Sequence, residues 1–163
     1  MSTSPVYPFL KHRDTSMGWT HSWKRGTELP AAAFAQAVED CRKAITAAGG
    51  PVAGFDGTGE PILGKDAIIF NGKRPAVCET FEIHQTEFDR RGRKVFWGSC
   101  KTEHAPYDLT VKTCLVVLKR YLGDAIKIAG DGADRDWDDA RKVCQDALGF
   151  GADFRLDPPE AAP

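Results

Sequence analysis

The stretch Lys94-Val95-Phe96-Trp97-Gly98-Ser99-Cys100-Lys101-Thr102-Glu103-His104-Ala105-Pro106-Tyr107-Asp108 decides the fold. Lys94 to Cys100 reads as a strand. The polar cluster that follows opens a helix from about Pro106 to Leu122, with Val111, Cys114, Leu115, Leu118 and Leu122 recurring at helical spacing. Upstream, Glu79 to Thr86 alternates, with Phe81 and Ile83 on one face and Thr80, Glu82 and His84 on the other. The basic turn Arg90-Arg91-Gly92-Arg93 makes residues 79–100 read as a hairpin. Asp66 to Phe70 is a further strand, closed by the turn signal Asn71-Gly72. Three strands therefore follow one another with no helix between them. That order argues against a doubly wound parallel sheet. It predicts an α+β single domain: a mostly antiparallel sheet of about five strands with three helices packed on it.

The remaining elements fit that frame. Trp19 to Trp23 is a first strand, with Trp19, His21 and Trp23 on one face. A helix runs from Pro30 to Ala48, striped by Phe34, Val38, Cys41 and Ile45 and ended by Gly49-Gly50. Residues 51–64 carry four glycines and Pro61, the composition of a surface loop. Ala125 to Ala129 is a strand, Gly130-Asp131-Gly132 a turn, and Asp134 to Leu148 a third helix capped by Gly149. Residues 1–16 read as a flexible arm, 17–150 as the domain, and 151–163 as a Pro-rich tail, frayed from Asp157.

Composition bounds the function. The 163 residues suit one domain, and 42% hydrophobic with 28% charged content is that of a soluble globular chain. A formal net charge of −1 gives no global field for duplex nucleic acid, which leaves only a local patch. No apolar run is long enough for a bilayer, so no membrane partner is expected. Five cysteines, unpaired in spacing and without a signal segment, read as reduced thiols in a cytoplasmic protein. No motif names a cofactor, and no paired spacing names a metal site.

Several pieces together resemble a family of bacterial and phage proteins that has no assigned activity. They are Met17-Gly18-Trp19-Thr20-His21-Ser22-Trp23, Phe70-Asn71-Gly72, Glu79-Thr80-Phe81, Cys100-Lys101-Thr102 with Pro106-Tyr107-Asp108, and Asp131-Gly132 before Trp137. The chain departs from the family pattern at Trp19 and Ser22, where tyrosine is usual, and at Glu103-His104, where an Ala-Arg type of pair is usual. The resemblance implies one intact domain and a phage or prophage setting.

The functional reading centres on the strand-to-helix rim, where backbone N–H groups and polar side chains collect. Trp19, His21, Trp23, Lys101, Thr102, Tyr107, Asp108 and Asp131 are the candidate ligand-binding residues. Lys101 and Thr102 suit a phosphate or carboxylate, so the expected partner is a small anionic molecule or a host protein. An alternative is a hydrolase or transferase acting on a nucleotide-like substrate. There His21 is the base, Lys101 the charge stabiliser and Asp108 or Asp131 the orienting acid. A third reading is a homo-oligomeric structural protein without a site.

Other clusters carry less. Glu79, Glu82, His84 and Lys101 lack the acid two positions before the lysine that a metal-dependent nuclease needs, since Ser99 stands there. Asp131, Asp134, Asp136, Asp138 and Asp139 read as caps and dipole partners of the third helix. Gly57-Thr58-Gly59 has no Gly-Lys-Ser/Thr after it and reads as a flexible surface loop.

Overall fold

The computed structural model describes residues 18–159. The N-terminal arm lies outside the described residues. In chain order the elements are β1 (Thr20–Gly26), α1 (Ala31–Ala48), β2 (Val52–Ala53), β3 (Ile62–Gly64), β4 (Ala67–Gly72), β5 (Phe81–His84), β6 (Val95–Lys101), α2 (Asp108–Leu122), β7 (Ile126–Gly130) and α3 (Asp138–Leu148). The protein is a single compact α+β domain of three helices and two antiparallel sheets.

One sheet has the order β6-β1-β7. In the other, β4 pairs with β2, β3 and β5. Both sheets share one hydrophobic core. β1 supplies Trp23, β6 Cys100 and β7 Ile126 and Ile128 from the first sheet. The second contributes Ile68, Phe70, Phe81 and Ile83. Trp23 meets Phe81 at 5.2 Å between ring centroids, which joins the two groups directly. Gly98 in β6 leaves room for this ring, because a Cβ there would stand 2.3 Å from the Trp23 indole nitrogen.

The helices fill the other side of this core. α2 buries every residue from Thr110 to Leu118 and is the central element, as its apolar stripe predicts. α1 stops where Gly49 takes a left-handed conformation (φ 76°), and α3 stops in the same way at Gly149 (φ 82°). Each helix places one buried cysteine at the shared interface, Cys41, Cys114 and Cys144. All five cysteines are free.

Four expectations change. Asn71-Gly72 is not a turn, because β4 runs through Gly72. The buried Asn71 amide donates to the Cys78 carbonyl and to Thr80 Oγ1, both at 2.9 Å, and accepts from the Gly72 N–H at 2.7 Å. Its side chain does locally what a turn would have done: it holds residues 73–80 against the strand.

Residues 79–100 are not a hairpin, since β5 pairs with β4 and β6 with β1. Past β5 the chain is diverted onto residues 27–29. The Leu29 N–H donates to the Gln85 carbonyl (2.9 Å), the Glu87 N–H donates to the Thr27 carbonyl (2.7 Å), and Glu28 bridges Thr86. The inward-facing Arg25 fixes that corner by donating to the carbonyls of Gly26, Thr27, His84 and Gln85. The strands thus divide between two sheets rather than forming one.

The glycine-rich segment 51–64 holds β2 and β3 and is tied down. The Gly54 N–H donates to the Gly59 carbonyl (3.0 Å), and the Asp56 N–H donates to Thr80 Oγ1 (3.1 Å). The tail does not fray at Asp157. Phe154 is buried, and Asp157 accepts from the Ile128 N–H (2.8 Å) and the Lys119 ammonium (3.1 Å).

Candidate functional site

β1 and β6 pair with Thr20 opposite Lys101 and His21 opposite Cys100. Strand alternation therefore sends His21 and Cys100 inward and Thr20 and Lys101 outward. His21 is 1% exposed and its Nε2 lies 2.7 Å from Asp108 Oδ1. Asp108 is the first residue of α2, just past the strand-to-helix junction. Thr102 Oγ1 donates to the same carboxylate oxygen at 2.5 Å. One turn along α2, Lys112 Nζ stands 3.7 Å from the other oxygen, Oδ2. Lys112 also donates to the Asp136 carbonyl at 2.7 Å and to Asp139 Oδ1 at 2.8 Å.

Burial by itself raises the Asp108 carboxyl. Hydrogen bonds from His21 and Thr102, with the Lys112 charge, reverse that and hold it below the usual carboxylate range. An ionised Asp108 is an acceptor only, so His21 Nε2 carries the proton in this contact. That leaves Nδ1 as the other ring nitrogen, and it is buried without a hydrogen-bond partner among the described residues.

The ring is enclosed by aromatics and a glycine turn. Trp137 meets it edge-on at 5.1 Å and Trp19 at 6.0 Å. His104 stacks on Trp19 at 4.2 Å, and the buried Trp19 Nε1 also lacks a partner among the described residues. Gly130 and Gly132 lie close over the pair. A Cβ at 130 would come 3.4 Å from His21 Nδ1, and one at 132 would come 2.5 Å from the Trp19 ring. Asp131 between them latches the turn to β1, accepting from the Thr20 N–H at 2.9 Å.

Glu103 and His104, at the junction itself, both have left-handed backbone (φ 51° and 59°). Such residues cost about 1 kcal/mol or more each. Glu103→Gly is therefore expected to stabilise the protein by about 1 kcal/mol, read from urea unfolding. A loss of stability instead would mean that the Glu103 side chain contributes more than its backbone strain costs.

The candidate residues divide into three groups. Trp19, His21, Thr102, Asp108 and Asp131 come together. Trp23 and Tyr107 belong to the core: Trp23 is 2% exposed, and the buried Tyr107 hydroxyl donates to the Glu79 carbonyl at 2.5 Å. Lys101 faces the opposite side of the sheet, its stem along Gly18 and its Nζ 3.9 Å from Glu103 Oε2. The sheet stands between that charge and His21.

Cys100 is fully buried, and burial pushes its thiol up to about 12, away from the reactive thiolate. Glu79 accepts from the Lys101 N–H at 2.9 Å, and Glu82 pairs with His84 at 2.6 Å on the surface. The aspartates near α3 act as caps and ion-pair partners, among them Asp136 to the Ala133 N–H (2.7 Å) and Asp138 to Arg141 (2.8 Å). Among the described residues, no group of three His, Cys, Asp or Glu is placed to hold a metal ion. No helix among them is long and apolar enough to cross a membrane.

Lys112, Trp137 and Asp139 were missed as members of the cluster. One signal was present: Lys112 stands four residues after Asp108, among Val111, Leu115 and Val116, at the spacing of an intrahelical ion pair. Compared with protein-family models, curated proteins and solved structures, the chain matches none.

Proposed function

We propose that the protein is an accessory domain of phage or prophage type that binds a small polar ligand at the His21–Asp108 pair. The reading rests on one observation: Asp108 fixes one nitrogen of His21, while the other, Nδ1, is buried without a partner among the described residues. An unpaired buried polar atom costs about 1–3 kcal/mol, which a ligand hydroxyl or amide hydrogen placed there recovers. Trp19 and His104 supply stacking surface beside it, and the turn 130–132 is the element that must move to admit the ligand. A strongly anionic ligand is the less favoured choice, since Lys101 is turned away and Lys112 is already engaged by Asp108 and Asp139.

The same geometry favours a second reading. A carboxylate that orients an imidazole and stabilises its charged form is the support a general base needs. In a hydrolase or transferase, His21 takes a proton from a substrate hydroxyl or a water through Nδ1, and Asp108 holds the ring.

Both readings are tested by a thermal-shift screen of nucleosides, sugars and polyols against the protein and its His21→Gln variant. Glutamine keeps a donor near the Nε2 position and removes the Nδ1 acceptor. The expected result is a ligand that raises the melting temperature of the parent and not of the variant. A shift that survives in His21→Gln places the ligand elsewhere and ends the proposal. Turnover of the ligand by the parent alone selects the enzyme reading.

A further inference from the structure

The three helices and the core lie on one side of the sheet β6-β1-β7, and the opposite side carries a different chemistry. Its residues are Thr20, Ser22 and Lys24 from β1, Val95, Trp97, Ser99 and Lys101 from β6, and Lys127 and Ala129 from β7. The registers place Trp97, Lys24 and Lys127 in one transverse row, because Lys24 is opposite both of the others. The neighbouring row, Ser99, Ser22 and Ala129, is made of small residues. Lys101 opposite Thr20 begins the next.

Trp97 is 64% exposed, an unusual state for an indole on a strand, and the Lys24 ammonium lies 5.8 Å from its ring centroid. Val95 beside it on β6 is 46% exposed. The carboxylates beside Lys127 and Lys101 are themselves open to solvent. Asp124, 3.3 Å from Lys127, is 96% exposed, and Glu103, 3.9 Å from Lys101, is 45% exposed. Such pairs are weakly held and exchange readily for another anion.

Before Val95 the chain runs through the basic segment 90–94. There Arg93 pairs with Asp89 and lies 5.7 Å from the Phe96 ring. Arg90, Arg91 and Lys94 have no carboxylate within ion-pair distance among the described residues. From Lys101 to Val95 the face is seven residues long, roughly 20 Å at strand rise.

We infer that this outer sheet face binds single-stranded nucleic acid, with Trp97 stacking a base and Lys101 and Lys127 meeting the phosphates. Exposed aromatics on a strand combined with a basic track are how sheet surfaces hold unpaired bases without reading sequence. A duplex hides the π-faces of its bases and cannot use the indole. The overall charge of −1 does not oppose this, because the field that matters here is the local one. The face is separate from the His21 cluster, which lies on the other side of the sheet, so either proposal stands or falls without the other.

The test is fluorescence anisotropy of a labelled oligothymidylate titrated with the full chain at about 50 mM salt, with tryptophan emission followed in parallel. Binding is expected with quenching of the exposed indole. Trp97→Ala is expected to weaken binding about tenfold and to abolish most of the quench. Lys101→Ala and Lys127→Ala are each expected to reduce the slope of log K against log salt by about 0.7. Absence of binding at low salt overturns the inference. So does unchanged affinity in Trp97→Ala, and so does equal affinity for a duplex of the same length. All three substitutions are at exposed or half-buried positions, and melting temperatures close to the parent confirm that lost binding is not lost fold.

Discussion

Asp108→Ala is expected to destabilise the protein by about 3–5 kcal/mol, the usual cost of removing one partner from a buried charged network. The carboxylate accepts from His21 and Thr102 and faces Lys112, all of them buried. Its loss strands the His21 Nε2–H and the Thr102 hydroxyl and leaves the Lys112 charge with Asp139 alone. Urea unfolding measures the loss, and a cost under about 1 kcal/mol would sink this account.

The acid side of the stability curve carries a second signature. The Asp108 carboxyl titrates below its ordinary value of 3.8 in the folded protein. A depressed folded value contributes stability that is complete above the unfolded value and is lost as pH falls through the folded one. Asp108→Asn is expected to lower stability at neutral pH and to flatten the decline below about pH 4. A variant curve parallel to the parent in that range would show that other carboxylates dominate acid unfolding.

Trp23→Ala is expected to cost about 3–5 kcal/mol by opening a cavity in the core. Trp23 is buried against Phe81 and beneath Gly98, where even a methyl group collides with its ring. Trp23→Phe retains most of the packing and is expected to lose less than half as much. The measurement also separates two views of the residue. If Trp23 lined a ligand site, Trp23→Ala would leave stability within about 1 kcal/mol of the parent and change binding instead.

How far the sequence could be read is clearest at particular residues. Helix α2 was legible because an apolar stripe over four turns has one interpretation. The caps at Gly49 and Gly149 were legible because glycine meets the left-handed requirement there at low cost. Asn71-Gly72 misled because the pair that favours a tight turn also suits a strand residue whose amide bonds across to its neighbour. The apparent hairpin misled because strand pattern says that residues 79–86 and 94–100 are extended, not which strand each one joins. The chain past β5 bridges back to Glu28 at Thr86, while β5 joins β4 and β6 joins β1.

Parity decided the site. His21 and Trp23 share a face with Arg25, and all three point inward. Lys101 looked like a neighbour because it adjoins Thr102 in sequence, but its register opposite Thr20 turns it to the other side. Thr102, one residue further on, returns to the inner side as that alternation requires and reaches Asp108. Lys112 was visible only as a charge out of place, and nothing in the sequence shows that Asp139 of a distant helix answers it.

Asp157 has a consequence for how copies of this molecule can meet. Its N–H donates to the Ile128 carbonyl (3.0 Å), and its carboxylate accepts from the Ile128 N–H. One residue thus occupies both outer groups of Ile128, the middle of β7, where an incoming strand would pair, in the manner of a stopper on a zip fastener. Lateral growth of this sheet into a fibre or a continuous intermolecular ribbon is blocked on the β7 flank by the chain's own C-terminal stretch.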